Sequence, residues 1–298
     1  MKGPFLYITT AIILLLLSIT SCEKKDKSQM TMTTNKSGEV TIGLGGRGTA
    51  TIDWDNGTDT ETKVLSTSTN FYNHTYSDTT VRTIIISGNN ITALLCSENQ
   101  LTSLEVSKNP ALESLFCDNN QLKDLDISKN TKLTNLDCYN NQLTDLDVTQ
   151  NAELTRLLCS ANQLANLNVS NNIALAIFGC DNNQLTSLDV SKNIALLTLF
   201  CNNNQLTTLG VSENNLLKIL DCSNNQLANL NVSKNTDLTR IWCQSNLLSM
   251  TALDNLFKTL HSNTIAGATK VIHIYGNPGI NTCTQSIATN KEWKVNIE

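Results

Sequence analysis

The sequence predicts a repeat solenoid with a parallel β-sheet along one face, and three observations predict it. Eight cysteines recur at an interval of 21 residues: Cys96, Cys117, Cys138, Cys159, Cys180, Cys201, Cys222 and Cys243. An asparagine follows each cysteine after three residues, and a leucine follows it after five. A strict period of this size indicates one structural unit stacked on itself.

The first residues have the pattern of an export signal rather than of folded structure. Lys2 supplies a positive charge, and the apolar run 11–17 is too short for a stable membrane span. We therefore expect residues 1–21 to be a signal peptide.

The signal ends in Ile19-Thr20-Ser21-Cys22, which resembles the bacterial lipobox. The resemblance implies that Cys22 becomes the lipid-acylated first residue. The charged run 23–27 is similar to the signal that directs lipoproteins of Bacteroidetes to the outer face of the cell. The alternative is an ordinary signal peptide in which the cysteine is incidental.

A flexible tether is predicted over 22–37, because this stretch is polar and has no core-forming pattern. Period-two alternation then begins and predicts a β-rich cap over 38–90. Within the cap, the segments 53–57 and 74–77 resemble elements of the polycystic-kidney-disease-type β-sandwich. A calcium loop at Asp53, Asp55 and Asp59 is an alternative there, although the spacing fits no EF-hand loop and no metal site is predicted.

Eight repeat units are predicted over 91–247, with the pattern L-x-x-L-x-C-x-x-N-Q-L-x-x-L-D-V-S-x-N. The Leu-x-Cys pair is expected to form a short strand with both side chains inward, and residues such as Leu125 and Ile127 to fill the core from the opposite wall. A unit of 21 residues leaves no room for a helix on that wall. The pattern resembles the leucine-rich repeat, in the cysteine-containing branch of internalin-like repeats, and implies a leucine-rich-repeat surface lipoprotein.

The repeated cysteines are predicted to be buried free thiols, because a thiol at this position behaves as a small hydrophobic side chain. Disulfides between neighbouring units are disfavoured, since stacked strands hold the Cα–Cβ bonds parallel. Zinc binding is disfavoured because the chain has no local cysteine pair.

A C-terminal capping repeat is predicted over 248–298. The segment Thr251-Ala252-Leu253-Asp254 has the pattern of a capping box, and Leu253, Leu256 and Phe257 share one face of the helix that would follow. The segment 272–277 has the spacing of a ninth strand, and the alternation over 293–297 predicts one more strand. Such a cap would cover the open core and sheet edge of the stack.

Composition narrows the possible functions. The net charge of −5 and the absence of a basic patch argue against nucleic acid. The three histidines, His74, His261 and His273, form no catalytic set in the sequence, so neither an enzyme nor a cofactor is expected. Recurrent aspartates such as Asp126 are attributed to turns.

The positions that the repeat leaves variable point out of the sheet, and bulky apolar residues alternate there with Asp or Gly. Spaced aromatic side chains on an exposed sheet indicate a binding face. The predicted ligand-binding residues are Phe116, Asp137, Tyr139, Arg156, Leu158, Phe200, Asp221, Arg240 and Trp242. The alternative is that duplication of 42-residue pairs left an alternation without function.

The sequence therefore predicts an exported, outer-membrane lipid-anchored binding or adhesion module that is exposed at the cell surface. Its partner would be a protein or a glycan. The alternative function is a structural cell-envelope lipoprotein that has no specific ligand.

Overall fold

A computed structural model of the chain describes residues 28–57 and 60–298. The predicted signal peptide, Cys22 and Asp59 lie outside these residues. Within them the elements are, in chain order, β1 Gln29–Thr34, β2 Gly38–Gly46, β3 Thr49–Asp53, β4 Glu61–Val64, β5 Asn70–Tyr76, β6 Arg82–Ser87, β7 Ile91–Leu95, β8 Leu101–Glu105, β9 Ser114–Phe116, β10 Asn135–Asp137, β11 Arg156–Leu158, β12 Ile177–Gly179, β13 Thr198–Phe200, β14 Ile219–Asp221, β15 Arg240–Trp242, α1 Met250–Thr259, β16 Lys270–His273, α2 Ser286–Thr289 and β17 Trp293–Asn296.

The described chain is a solenoid with one long sheet, here called the front sheet. Its twelve strands follow the order β17-β16-β15-β14-β13-β12-β11-β10-β9-β7-β2-β5. From β7 to β17 neighbouring strands are parallel, and their middle residues pair directly, as Leu136 of β10 does with Leu157 of β11. The predicted solenoid is confirmed, with eight strands at the 21-residue interval and two further strands at the C-terminal end.

Each unit buries its leucines and its cysteine between the front sheet and the opposite wall. Leu115 and Cys117 of one unit are fully buried, and so are Leu122 and Ile127 from the opposite wall. Burial of a leucine-sized side chain stabilises the fold by roughly 1.5–3 kcal/mol, and a stacked unit buries these side chains on both sides. As expected for 21-residue units, the opposite wall consists of turns, apart from the short strand β8 in the first unit.

Asparagine side chains join successive units along the core. Asn141 donates through Nδ2 to the carbonyls of Cys117 and Cys138, at 3.0 and 3.1 Å, while its Oδ1 accepts from the backbone N–H of Leu122 at 3.0 Å. The same bonds recur in every unit from Asn120 to Asn246, and at Asn277 in the last full turn. The predicted turn-stabilising asparagine is thus also a link between neighbouring turns.

The N-terminal cap continues both walls of the solenoid. Strand β2 extends the front sheet by antiparallel pairing with β7, and β5 extends it further by antiparallel pairing with β2. On the opposite wall, β8 pairs with β1 in a second sheet of order β4-β3-β6-β1-β8, here called the back sheet. The cap therefore consists of two sheets, and both continue directly into the first repeat.

The prediction of a flexible tether over 22–37 is wrong from Gln29 onward. Strand β1 pairs with both β6 and β8, and its alternate side chains Met30, Met32 and Thr34 are buried. The stretch is mostly polar because its half-buried face consists of Gln and Thr, and its buried face contributes the apolar side chains of Met30 and Met32 beside Thr34. The cap therefore begins at least nine residues before residue 38, where the sequence predicted its start.

The C-terminal cap places a helix against the last repeat. Helix α1 begins at Met250, and the N-cap is Ser249, whose hydroxyl accepts from the N–H of Ala252 at 3.2 Å. The predicted capping box at Thr251 is wrong, because Asp254 instead accepts from the backbone N–H of Thr284 at 2.6 Å. The predicted apolar face, including Leu253 and Phe257, is buried.

Candidate functional site: the exposed face of the front sheet

The exposed face of the front sheet is built from the outward residues of its parallel strands, from β7 to β17. The residue between the inward leucine and cysteine forms what we call the central column: Leu95, Phe116, Asp137, Leu158, Gly179, Phe200, Asp221, Trp242, His273 and Asn296. The residue two positions earlier forms the flanking column: Ala93, Ser114, Asn135, Arg156, Ile177, Thr198, Ile219, Arg240, Val271 and Lys294. Because the register of the sheet is fixed, each of these residues has a defined position on one surface.

A cavity lies at the C-terminal end of this face. It has a volume of about 710 Å³, and we call it the C-terminal pocket. One side is formed by the flanking column from β14 to β17 and by the central column from β15 to β17, and the other by the loop 267–269 that precedes β16. Trp242 and Arg240, both predicted as binding residues, line it.

The ring of Trp242 stacks on the ring of His273, with centroids 5.6 Å apart and an interplanar angle of 15°. Asn296 approaches the same imidazole from the next strand, with Nδ2 at 3.3 Å from Nδ1. Burial lowers the pKa of His273, and Asp221 acts in the opposite direction. The imidazole of His273 thus forms one aromatic surface with Trp242 in the pocket.

Phe200 and Asp221 lie next to the pocket in the central column. Asp221 pairs in register with Phe200 on one side and with Trp242 on the other, so the two rings lie two strand spacings apart, about 10 Å. Asp221 Oδ1 accepts from the N–H and the hydroxyl of Ser223, at 3.0 and 2.6 Å. Burial raises the pKa of this carboxyl group. The smaller Asp221 leaves a depression between two bulky neighbours.

The remaining predicted residues form a second group nearer the N-terminus. Arg156 Nη2 lies 3.3 Å from Asp137 Oδ2, and Asp137 is only 6% exposed. Burial, and next the charge of Asp118, raise the pKa of Asp137 although Arg156 opposes the shift. Tyr139 accepts through its hydroxyl from Asn119 Nδ2 at 3.0 Å. Arg156 and Asp137 are therefore paired with each other and Tyr139 with Asn119, while the buried Oδ1 of Asp137 has no partner.

The apolar members of the second group are Phe116 and Leu158. Phe116 is half-buried at the position before Asp137, and Leu158 leans over Gly179, where a Cβ would lie 2.9 Å from Leu158 Cδ2. Leu158 thus fills the space that the glycine leaves and separates this group from Phe200. The structure accordingly divides the nine predicted residues into two groups rather than one continuous site.

Several pocket residues were absent from the sequence prediction: Ile219, Val271, His273, Lys294, Asn296 and the loop 267–269. The signal for most of them was present, since the predicted inward alternation over 272–274 and 293–297 places His273, Lys294 and Asn296 outward. Extending the two columns over the last two strands would have found them. The loop has no repeat pattern and could not be placed from sequence.

Other predicted features have structural roles in the described residues. The eight cysteines at the 21-residue interval are free and fully buried, as predicted. Cys283 is also free, and it is partly exposed. The Oδ1 of Asp126 accepts from the N–H of Ser128 at 2.9 Å, in the predicted turn role, and Asp147 and Asp189 do the same in their units. No cluster of metal-ligating side chains occurs in residues 28–57 and 60–298.

Comparison with known proteins gives the class to which this architecture corresponds. The family described as Leucine Rich repeats (2 copies) matches residues 110–151. The functional domain of InlJ from Listeria monocytogenes, which includes a cysteine ladder, is 31% identical, with a TM-score of 0.53, over 70% of this chain and 49% of that one. A leucine-rich-repeat protein of Leptospira interrogans is 21% identical, with a TM-score of 0.54, over 64% of this chain and 50% of that one. The fold is therefore a leucine-rich-repeat solenoid.

The similarity to InlJ supports the internalin-like resemblance, including the ladder of cysteines. This chain spans about half of the length of both proteins. None of the curated proteins matches the sequence. Among the described residues, no helix has the length and apolar character needed to cross a membrane.

Proposed function

We propose that the chain is a surface binding module that receives a protein partner on the exposed face of the front sheet, centred on the C-terminal pocket. The observation that carries the proposal is the half-buried Trp242, stacked on His273 at the floor of a cavity that lies within the sheet face. Aromatic residues in concave, partly desolvated positions are the residue type that most often contributes binding energy at protein interfaces. Leucine-rich-repeat solenoids commonly use their sheet surface to bind proteins.

The test is capture of surface proteins by the immobilised chain and by two matched variants. The first carries Phe200→Ser and Trp242→Ser in the central column. The control carries Ile173→Ser and Ile194→Ser, which remove two exposed apolar side chains (59% and 61% exposed) from turns outside the columns. We expect partners bound by the wild type and the control to be lost from the first variant, while thermal unfolding shows all three folded. Equal capture by all three would reject the proposal.

We also propose that the chain is a lipoprotein anchored to the outer membrane through Cys22 and displayed at the cell surface. The support is the Ile19-Thr20-Ser21-Cys22 sequence and the charged residues after it. Metabolic labelling with a fatty acid should mark the wild type and not the Cys22→Ser variant. Protease treatment of intact cells should remove the wild-type chain, and protection from the protease would contradict surface display.

A further inference from the structure

The C-terminal pocket is positively charged, although the whole chain carries a net charge of −5. Arg240 and Lys294 are exposed members of the flanking column and pair in register with Val271, one on either side of it. No Asp or Glu is among the described residues that line the cavity. A ligand in this pocket would therefore meet two cations and no opposing carboxylate within the lining.

Between the two cations the floor is apolar. Val271 is half-buried between them in the flanking column, Ile219 is half-buried on the other side of Arg240, and the stacked rings of Trp242 and His273 lie beside them in the central column. Apolar and aromatic surface of this kind gains free energy when a ligand side chain excludes water from it. The pocket thus combines a centre that favours an apolar group with a rim that favours negative charge.

The wall opposite the sheet is held in place before any ligand arrives. The buried Lys270 donates through Nζ to the carbonyl of Asn263 at 3.0 Å and to that of Lys291 at 2.7 Å. His261 Nε2 lies 2.7 Å from the carbonyl oxygen of Leu238, and Asn263 Nδ2 donates to the carbonyl of Thr236 at 3.3 Å. These bonds fix the beginning and the end of the loop that carries residues 267–269, so the cavity does not depend on induced ordering.

The dimensions suit a short stretch of polypeptide. The volume of about 710 Å³ lies within the usual range for ligand pockets. The backbones that carry Arg240 and Lys294 are two strand spacings apart, about 10 Å, and side chains at alternate positions of an extended segment share one face, about 7 Å apart. An apolar side chain seated on the floor can therefore have a carboxylate two positions away on either side, within reach of the two flexible basic side chains.

We infer that the C-terminal pocket binds an acidic segment of the protein partner, with an apolar or aromatic side chain seated on Trp242 and Val271 and carboxylates paired with Arg240 and Lys294. The inference rests on the proposed function and names the chemistry of the partner. Charge complementarity of this kind sets partner choice and speeds association, and it weakens with salt.

The test is to select binders of the full chain from a displayed library of random peptides. Such a library contains acidic, basic, polar and apolar peptides without bias. The variant Arg240→Glu/Lys294→Glu serves for comparison. The control Lys123→Glu/Lys192→Glu makes the same change in net charge at exposed lysines outside the two columns. We expect the enriched peptides to carry Asp or Glu within two positions of an aromatic or aliphatic residue. Their affinity should fall at least tenfold for the pocket variant, change less than twofold for the control, and fall with added salt.

Enrichment of neutral or basic peptides, equal binding by the pocket variant, or no enrichment would each overturn the inference. In parallel, an array of carboxylated and sulfated oligosaccharides is tested with the same three proteins. Binding there that requires Arg240 and Lys294, without peptide enrichment, would assign the pocket to acidic glycans instead. If capture of partners still depends on Phe200 and Trp242 while acidic peptides fail, the proposed function stands and only this inference falls.

Discussion

At the scale of the residue, the cysteine and the residue two positions after it determine how each unit turns. The cysteine is buried, and the residue two positions after it has a left-handed backbone, with φ between 51° and 60° from Glu98 to Ser245. Asparagine holds this position in five units, as at Asn119 and Asn182. Asparagine tolerates the left-handed region better than most residues because its short polar side chain can hydrogen-bond locally. Ala161 has no such side chain to offset the steric cost of this conformation.

Replacing Ala161 with asparagine should stabilise the protein. Its φ is 52°, a conformation that costs an ordinary L-residue roughly 1–2 kcal/mol, so we expect the free energy of unfolding to rise by about 1 kcal/mol. The matched control is Ala165→Asn, at an exposed position of the same unit that lacks a positive φ. Chemical denaturation measures both, and an equal effect of the two substitutions would contradict the explanation.

The buried thiols should make the protein sensitive to alkaline pH. Burial raises the pKa of each cysteine in the ladder, to about 12 at Cys243 and well above its usual value at Cys180. Below about pH 9 both states keep their protons, and above it only the unfolded chain releases them. Stability is therefore lost as pH rises from about 9 toward the folded pKa, by up to about 1.4 kcal/mol per pH unit for each thiol.

The variant Cys180→Ala tests this dependence. It should be less stable than the wild type at pH 7, because a cavity remains, and its stability should fall less steeply above pH 9. Urea denaturation at intervals between pH 7 and 10.5 gives both slopes. A slope that does not change on removal of the thiol would show that other groups cause the alkaline loss.

At the scale of the element, each unit is joined to the next by two asparagines with different roles. Asn162 uses both ends of its amide, since Nδ2 donates to Cys138 and Cys159 carbonyls and Oδ1 accepts from the N–H of Leu143. Asn172, in the turn that precedes the next strand, donates to the carbonyls of Val148 and Asn151, but its Oδ1 has no partner. The first type of asparagine therefore satisfies more backbone groups than the second.

The substitution Asn162→Ala should consequently cost more stability than Asn172→Ala. The first leaves the buried N–H of Leu143 without a partner, at roughly 1–3 kcal/mol, whereas the carbonyls of Cys138 and Cys159 keep bonds from Asn141 and Asn183. The second leaves no donor unpaired, because the carbonyls of Val148 and Asn151 still accept from backbone N–H groups, and it removes an unpartnered oxygen. Both sites are in one unit, so parallel denaturation curves compare them directly, and a larger effect at Asn172 would contradict this order.

At the scale of the whole molecule, the cap and the repeats form one continuous pair of walls. The first repeat contributes β7 to the front sheet and β8 to the back sheet, and strands of the cap pair with both. Without those partners the two strands would present open edges, and open edges promote association between chains. The C-terminal end is closed differently, by α1 and by Lys291, whose Nζ donates to the carbonyls of Phe257, Lys258 and Leu260 at the end of that helix.

A chain that begins at residue 89 should lose stability and aggregate. The truncation removes β1 to β6 and exposes both the N–H and C=O groups of β7 and β8 and the core side chains beneath them. We expect a lower melting temperature and larger species in light scattering than for a chain that begins at residue 28. A monomeric fragment with the same melting temperature would show that the repeats do not need the cap.

The repeat could be predicted from sequence because its period fixes the phase of every residue. Cys96 and its counterparts gave the inward positions, and the same spacing located Ile272 in the ninth strand. Strand β1 was missed because two apolar side chains, Met30 and Met32, are too few to show an alternation and because its partner strands are far away in sequence. In the C-terminal pocket, Trp242 and Arg240 could be predicted because their positions in the repeat place them on the outward face. The loop beside them could not be predicted, because it is positioned by contacts of Lys270 and Asn263 that no local sequence pattern encodes.

The pairing of β1 with β8 has a mechanical consequence. A force that pulls on residue 28 acts along β1, which lies between two antiparallel neighbours, β6 and β8. The hydrogen bonds on both sides of the strand are then loaded together in shear and cannot open one after another from the end. One of those neighbours belongs to the first repeat, so the load passes directly into the solenoid wall. A chain held at its N-terminus would resist extraction through its repeats as well as its cap.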